Sequence, residues 1–199
     1  MKLDPQTTAV IAVHMQGDII TPDGALGPIF ATQVSERDTI AQVKRLVDAA
    51  RLAGAAVVYT RVAWAPDYGD MNPNSPMLAM TVQAGSLKEG TLLAAIVDDL
   101  KPEASDIVIT HKRIGGFSAS NLDAELSSRG IDTVVFCGVA TNVSLEGTAR
   151  QASDLGYRTL IVSDACAAAT REAHEASLAS LGLIGDVVTL DETITALAH

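Results

Sequence analysis

Short apolar runs rich in β-branched residues alternate with amphipathic segments from one end of the chain to the other, the pattern of repeated strand–helix units. Six runs read as strands: Thr8 to His14, Ala56 to Arg61, Asp106 to His111, Thr133 to Cys137, Arg158 to Ser163, and the short Asp186 to Leu190. The spacing of Ile40, Val43, Leu46 and Val47 predicts a helix that stops at Gly54. Further helices are predicted at about Ser120 to Arg129, Val143 to Leu155, Arg171 to Leu181 and after Asp191. Strand followed by helix, repeated, implies an α/β fold with a mostly parallel sheet.

Two segments break the alternation. Gly17 to Pro28 is rich in Gly, Pro and Asp, and Ala63 to Pro76 carries Trp64, Tyr68 and three prolines. They read either as a rim or lid over the sheet's edge or as simple connections. Right-handed crossovers set the C-terminal ends of parallel strands along one edge, so the residues that follow those ends converge on one crevice.

Composition narrows the picture. In 199 residues, 48% are hydrophobic and 19% charged, which suits one well-filled core and a single domain over residues 1–199. With only 4% aromatic residues, that core must be built from Ala, Val, Leu and Ile. A formal charge of −10 without a Lys/Arg run argues against nucleic acid or an anionic membrane as partner and for a small molecule. No apolar stretch approaches the ~20 residues of a bilayer span, and the first residues lack a signal-peptide pattern. Cys137 and Cys166 read as buried apolar residues in a reducing compartment, and the expected location is the cytoplasm.

Three chemically competent groups fall at strand ends: His14 after the first strand, His111 after the third and Ser144 in the first helical turn after the fourth. A hydroxyl at a helix N-terminus lies near backbone N–H groups that favour a developing anion, and histidine accepts a proton near neutral pH. Taken singly, each has a plainer explanation. Ser144, Thr141 or Asn142 serves as a helix cap, His14 as a hydrogen-bonded core histidine, and His111 beside Lys112 and Arg113 as a surface residue. With four histidines in the chain and two of them at converging strand ends, the functional reading draws ahead.

The block Cys137-Gly138-Val139-Ala140-Thr141-Asn142-Val143-Ser144, continued to Thr148-Ala149-Arg150, resembles the signature of the isochorismatase-like hydrolases, also called cysteine hydrolases. His14-Met15-Gln16, where members carry Asp-Met-Gln, and Arg113 with Phe117 extend the resemblance over nearly the whole chain. It implies a three-layer αβα, Rossmann-like fold around a six-stranded sheet. It also implies an amidase triad of Asp, Lys and Cys, whose positions here are His14, His111 and Ser144, with Lys112 one place out of register. The family's oxyanion hole would be the N–H groups of Ala140 and Ser144, with the Val139–Ala140 bond cis. Members with a divalent metal hold it through histidines after the second strand; this chain has none there, so neither metal nor cofactor is expected. A homodimer or homotetramer is implied as well.

The expected activity is hydrolysis of a small amide, ester or related carbonyl compound, with Ser144 as nucleophile or water-positioning group and His14 as general base. Trp64, Tyr68, Arg113 and Phe117 are candidate substrate contacts, and Met71 a further apolar one. Vinyl ether hydrolysis without a covalent intermediate, or a binding protein that has lost catalysis, are the alternatives. Asp164 reads as an orienting or capping residue, His174 as a helix residue and His199 as the chain terminus.

Overall fold

The computed structural model describes residues 2–198; His199 lies outside them. Its elements are β1 (Thr8–Val13), α1 (Gly17–Ile20), α2 (Gly27–Glu36), α3 (Thr39–Ala53), β2 (Ala56–Val62), α4 (Pro76–Ala84), β3 (Ile107–His111), α5 (Leu122–Ser128), β4 (Thr133–Val139), α6 (Glu146–Asp154), β5 (Arg158–Ala167), α7 (Arg171–Leu181), β6 (Asp186–Val188) and α8 (Leu190–Leu197). A π-helical turn, Thr141–Leu145, joins β4 to α6.

All strand pairings are parallel, in the order β3-β2-β1-β4-β5-β6. The chain winds outward from β1 in both directions, so the order reverses between β1 and β4. That switch point leaves a crevice beyond the two strands' C-terminal ends.

Both faces of the sheet are covered, which is why its central strands are apolar without interruption. On one face Val10, Ala12, Val57, Val135 and Cys137 pack with Val43, Leu46 and Val47 of α3 and Leu190 and Leu197 of α8. On the other, Ile11, Val13, Val134 and Phe136 pack with Leu122 and Leu126 of α5 and Ala149 and Ala152 of α6. Period-two alternation thus sends neighbouring residues of β1 and β4 into opposite layers. Within α3 the buried positions 43, 46, 47 and 50 form one stripe. The fully buried Leu46 contributes on the order of 2 kcal/mol.

The six strands fall where the hydrophobic pattern predicts, with ends shifted by one or two residues, as where β4 reaches Val139, and further in β5. β5 continues to Ala167 because a register shift lets its alanine-rich end pair again with β4, Gly138 with Cys166 and Val139 with Ala167. β6 ends at Val188, because Thr189 starts α8 with a capping box shared with Glu192.

The first of the two irregular segments holds more helix than its composition suggests. Gly17 to Pro28 contains α1 and the start of α2, whose Pro28 occupies an initial position where its missing N–H is harmless. Ala63 to Pro76 remains irregular up to Ser75, whose hydroxyl accepts from Leu78 N–H at 3.3 Å and starts α4. No helix among the described residues is long and apolar enough to cross a membrane.

Candidate active site

His14 follows the last residue of β1 in a left-handed conformation, φ 52°, with its N–H on the carbonyl of Thr60 at 2.9 Å. His111 is the last residue of β3 and lies in register with Val62 of β2. β2 separates the two strands, and the imidazoles meet over its end: Nε2 to Nε2 is 2.8 Å, with ring centroids 4.9 Å apart.

A second contact assigns the proton between them. His111 Nδ1 is 2.8 Å from the carbonyl oxygen of Arg113, which can only accept, so Nδ1 carries the hydrogen. In neutral His111 the Nε2 lone pair is therefore bare, and His14 donates to it through Nε2–H. The remaining nitrogen of His14, Nδ1, is then an unprotonated base without a protein partner among the described residues.

Burial keeps both rings neutral. Desolvation lowers the pKa of His14 well below its ordinary value, and the neighbouring His111 lowers it further. Desolvation lowers that of His111 to about 4, against an opposing contribution from the Arg113 carbonyl. His111 is wholly buried and His14 4% exposed, which makes His14 the member of the pair that reaches the pocket.

Ser144 sits in the π-helical turn after β4 and is 6% exposed. Its carbonyl accepts from Thr148 Oγ1 at 2.6 Å, while its own hydroxyl has no hydrogen-bond partner among the described residues. The Val139–Ala140 peptide bond is cis. Ala140 N–H, at the start of the turn, likewise has no protein acceptor among the described residues. Such a widened turn leaves backbone groups turned out of the regular helix ladder.

Behind the turn runs a buried chain of hydrogen bonds that no sequence pattern announced. Arg37 Nη2 donates to His174 Nε2 at 3.0 Å, and His174 Nδ1 lies 2.9 Å from Thr141 Oγ1. Because a guanidinium only donates, His174 Nε2 is the acceptor and its Nδ1–H faces Thr141. Desolvation, aided by the Arg37 charge, lowers the pKa of His174 to about 4. Arg37 also donates to the carbonyls of Ser163 and Cys166, so it ties α2 to the far end of β5. The only advance signal was that His174 lies on a helix following the fifth strand.

His14, Trp64, Arg113, Ala140 and Ser144 line one pocket at the switch point, with a cavity volume of about 40 Å³. His111 stands behind His14, outside the lining. Two of the candidate substrate contacts lie elsewhere. The hydroxyl of Tyr68 donates to the carbonyl of Ser86 at 2.6 Å and its ring lies under Lys88, so it fastens its loop. Phe117 packs against Tyr157 at 6.0 Å beside the opposite core layer. Met71 packs on the first core layer. Lys112 donates to the carbonyl of Ala63 and pairs with Asp70. Asp164 accepts from Leu190 N–H at 2.7 Å, a capping role at α8. Among the described residues no three His, Cys, Asp or Glu side chains gather as metal ligands. Cys137 and Cys166 are buried free thiols, with pKa values raised by desolvation, to about 12 for Cys166.

The model of the isochorismatase domain matches residues 8–192. The chain belongs to the isochorismatase-like hydrolases. Among curated members of that family, ureidoacrylate amidohydrolase RutB of Rhizobium rhizogenes is 36% identical over 175 residues, which cover 82% of this chain and 71% of the relative. The protein of the same name from Agrobacterium fabrum is also 36% identical, over 82% of this chain and 77% of its own. Among solved structures of isochorismatase-like proteins, a cysteine hydrolase from Pseudomonas syringae pv. phaseolicola superposes with a TM-score of 0.90 at 27% identity, covering 100% of this chain and 95% of the other. N-carbamoylsarcosine amidase from Thermoplasma acidophilum gives 0.75 at 25% identity, covering 96% and 98%. The six-stranded parallel sheet with helices on both faces is the isochorismatase-like fold.

Proposed function

We propose that the protein hydrolyses a small amide or ester through a serine nucleophile, with His14 as its general base and His111 as the group that orients that base. The observation that carries this reading is the His14–His111 bond, which leaves a bare, neutral Nδ1 on a side chain lining the same pocket as the unpartnered Ser144 hydroxyl. A nucleophile, a base and a third group that fixes the base's tautomer are the parts of a triad, whatever their chain order. Relatives named as amidohydrolases support C–N bond cleavage as the reaction class.

In this mechanism Ser144 Oγ attacks the substrate carbonyl carbon as His14 Nδ1 takes its proton. The new imidazolium is held by its Nε2–H on His111. The oxyanion lies on the N–H groups of Ala140 and Ser144, at the positive end of the α6 region. His14 returns the proton to the departing amine or alcohol, leaving an acyl-serine. Water, deprotonated by His14, then attacks the acyl carbon, the Ser144 oxygen leaves and recovers the proton, and the acid is released. His14 and Ser144 share no direct hydrogen bond among the described residues, so substrate binding must close that gap or a water must span it.

Intact-protein mass spectrometry tests the covalent step. After rapid acid quench with p-nitrophenyl acetate, the wild type should gain one acetyl group on Ser144, and Ser144→Ala should gain none. Full hydrolysis by Ser144→Ala would assign the attack to water and make Ser144 a positioning hydroxyl. No turnover of any amide or ester by the wild type would sink the hydrolase reading.

A further inference from the structure

The walls of the switch-point pocket are built from Ile19, Leu26, Phe30, Val62, Trp64 and Leu87, and its charged side chain is Arg113. No Asp, Glu, Asn or Gln lines it. The side-chain acceptors it offers are few: the Ser144 hydroxyl, His14 Nδ1, and Thr81, whose own proton already goes to the carbonyl of Met77 at 3.0 Å. An N–H-rich ligand would bury donors here that this wall leaves unmatched.

Trp64 is 1% exposed and its indole Nε1–H is itself buried, so the ring presents carbon to the pocket. The cavity volume is only about 40 Å³, so the ligand is small.

We propose that this pocket takes a small carbonyl compound with a compact hydrocarbon acyl group, branched or aromatic, in preference to a ureido compound. The proposal rests on the hydrolase reading above and names the substrate class of the same site. An apolar acyl group leaves no donor unpaired against Leu26, Phe30 and Leu87. A ureido group, with N–H donors on both sides of its carbonyl, leaves several.

Trp64 is the only tryptophan in the chain, so its emission reports on this wall alone. On the hydrolase reading Ser144→Ala should bind without turnover, and the substitution removes one nearly buried hydroxyl while keeping the turn's backbone. Titrating that variant with methyl isobutyrate, isobutyramide and N-carbamoyl-β-alanine should perturb Trp64 emission, with a Kd for the isobutyrate ester at least tenfold below that for N-carbamoyl-β-alanine. Equal or tighter binding of N-carbamoyl-β-alanine, or unchanged emission with all three, overturns the proposal. Preferential binding of the isobutyryl compounds without hydrolysis by the wild type would refute the hydrolase reading and leave the pocket's preference standing. Turnover of N-carbamoyl-β-alanine over isobutyramide would do the reverse.

Discussion

Nε2 of His14 lies 2.8 Å from Nε2 of His111, and the carbonyl of Arg113 on the far side of His111 decides which ring holds the shared proton. The pair is therefore directional, with the free base on the pocket side. His14→Ala should lower kcat by roughly 10²- to 10⁴-fold, the usual worth of a positioned general base, with KM little changed. His111→Ala should lower kcat less, because it removes the orienting partner and keeps the base. Steady-state kinetics on an ester substrate checks both; equal losses would mean that His111 also touches the reacting atoms.

The acid limb of kcat/KM should lie below pH 6.5. A base near its ordinary value of about 6.5 would be half protonated there, whereas burial and the neighbouring ring keep His14 neutral further into acid. A pH–rate profile with an acidic midpoint at or above 6.5 would contradict the directional pair.

Stability should fall on acidification. His111 and His174 both protonate near pH 4 in the folded chain, well below an unfolded histidine, so between about pH 4 and 6.5 the unfolded state binds more protons. Unfolding free energy thus rises with pH across that window, by at most about 1.4 kcal/mol per pH unit for each such histidine. Urea midpoints measured from pH 4 to 7 should shift accordingly, and the shift should shrink in His174→Asn.

His174→Ala should act on the Ala140–Ser144 turn from behind. It takes away the donor to Thr141 and one acceptor of Arg37, whose bonds to Ser163 and Cys166 remain. A loss of about 1–3 kcal/mol in stability is expected, together with a fall in kcat at nearly constant KM. Partial recovery of kcat by His174→Asn, through an amide N–H toward Thr141, would mark a positioning role; recovery of stability without kcat would mark a structural one.

Gly138→Ala should be among the most damaging single changes. Gly138 has φ 108°, and a Cβ there would lie 2.3 Å from the carbonyl oxygen of Val13 in the adjacent strand. Strained backbone and steric overlap together predict a loss of roughly 3 kcal/mol or more. A denaturant midpoint near that of the wild type would show that β1 and β4 can separate at the switch point.

The central strands were legible from sequence because a parallel sheet covered on both faces demands uninterrupted apolar runs, and β1 and β4 supply them. α2 and α4 were not, since each has a proline in its first turn beside a Gly- and Pro-rich segment and its apolar residues lack a clear helical stripe. His14, Ser144, Trp64 and Arg113 could be placed at strand ends from topology alone, and they share a pocket. Tyr68 and Phe117, each farther from its strand end than Trp64 and Arg113, point into other packing.

What the sequence by itself determined was the order of the six strands and of the helices α3 and α5 to α8, the glycine-dependent turn after β4 and the residue types at the three unusual positions. Those follow from local periodicity and from motifs a few residues long. Only the tertiary structure decided that His14 and His111 touch, that the Arg113 carbonyl orients their proton and that Arg37 and His174 brace the turn. The reason is physical: these contacts join residues that the chain separates by 97, 137 or 33 positions. Their geometry is set by how six strands stack side by side, which no local pattern encodes.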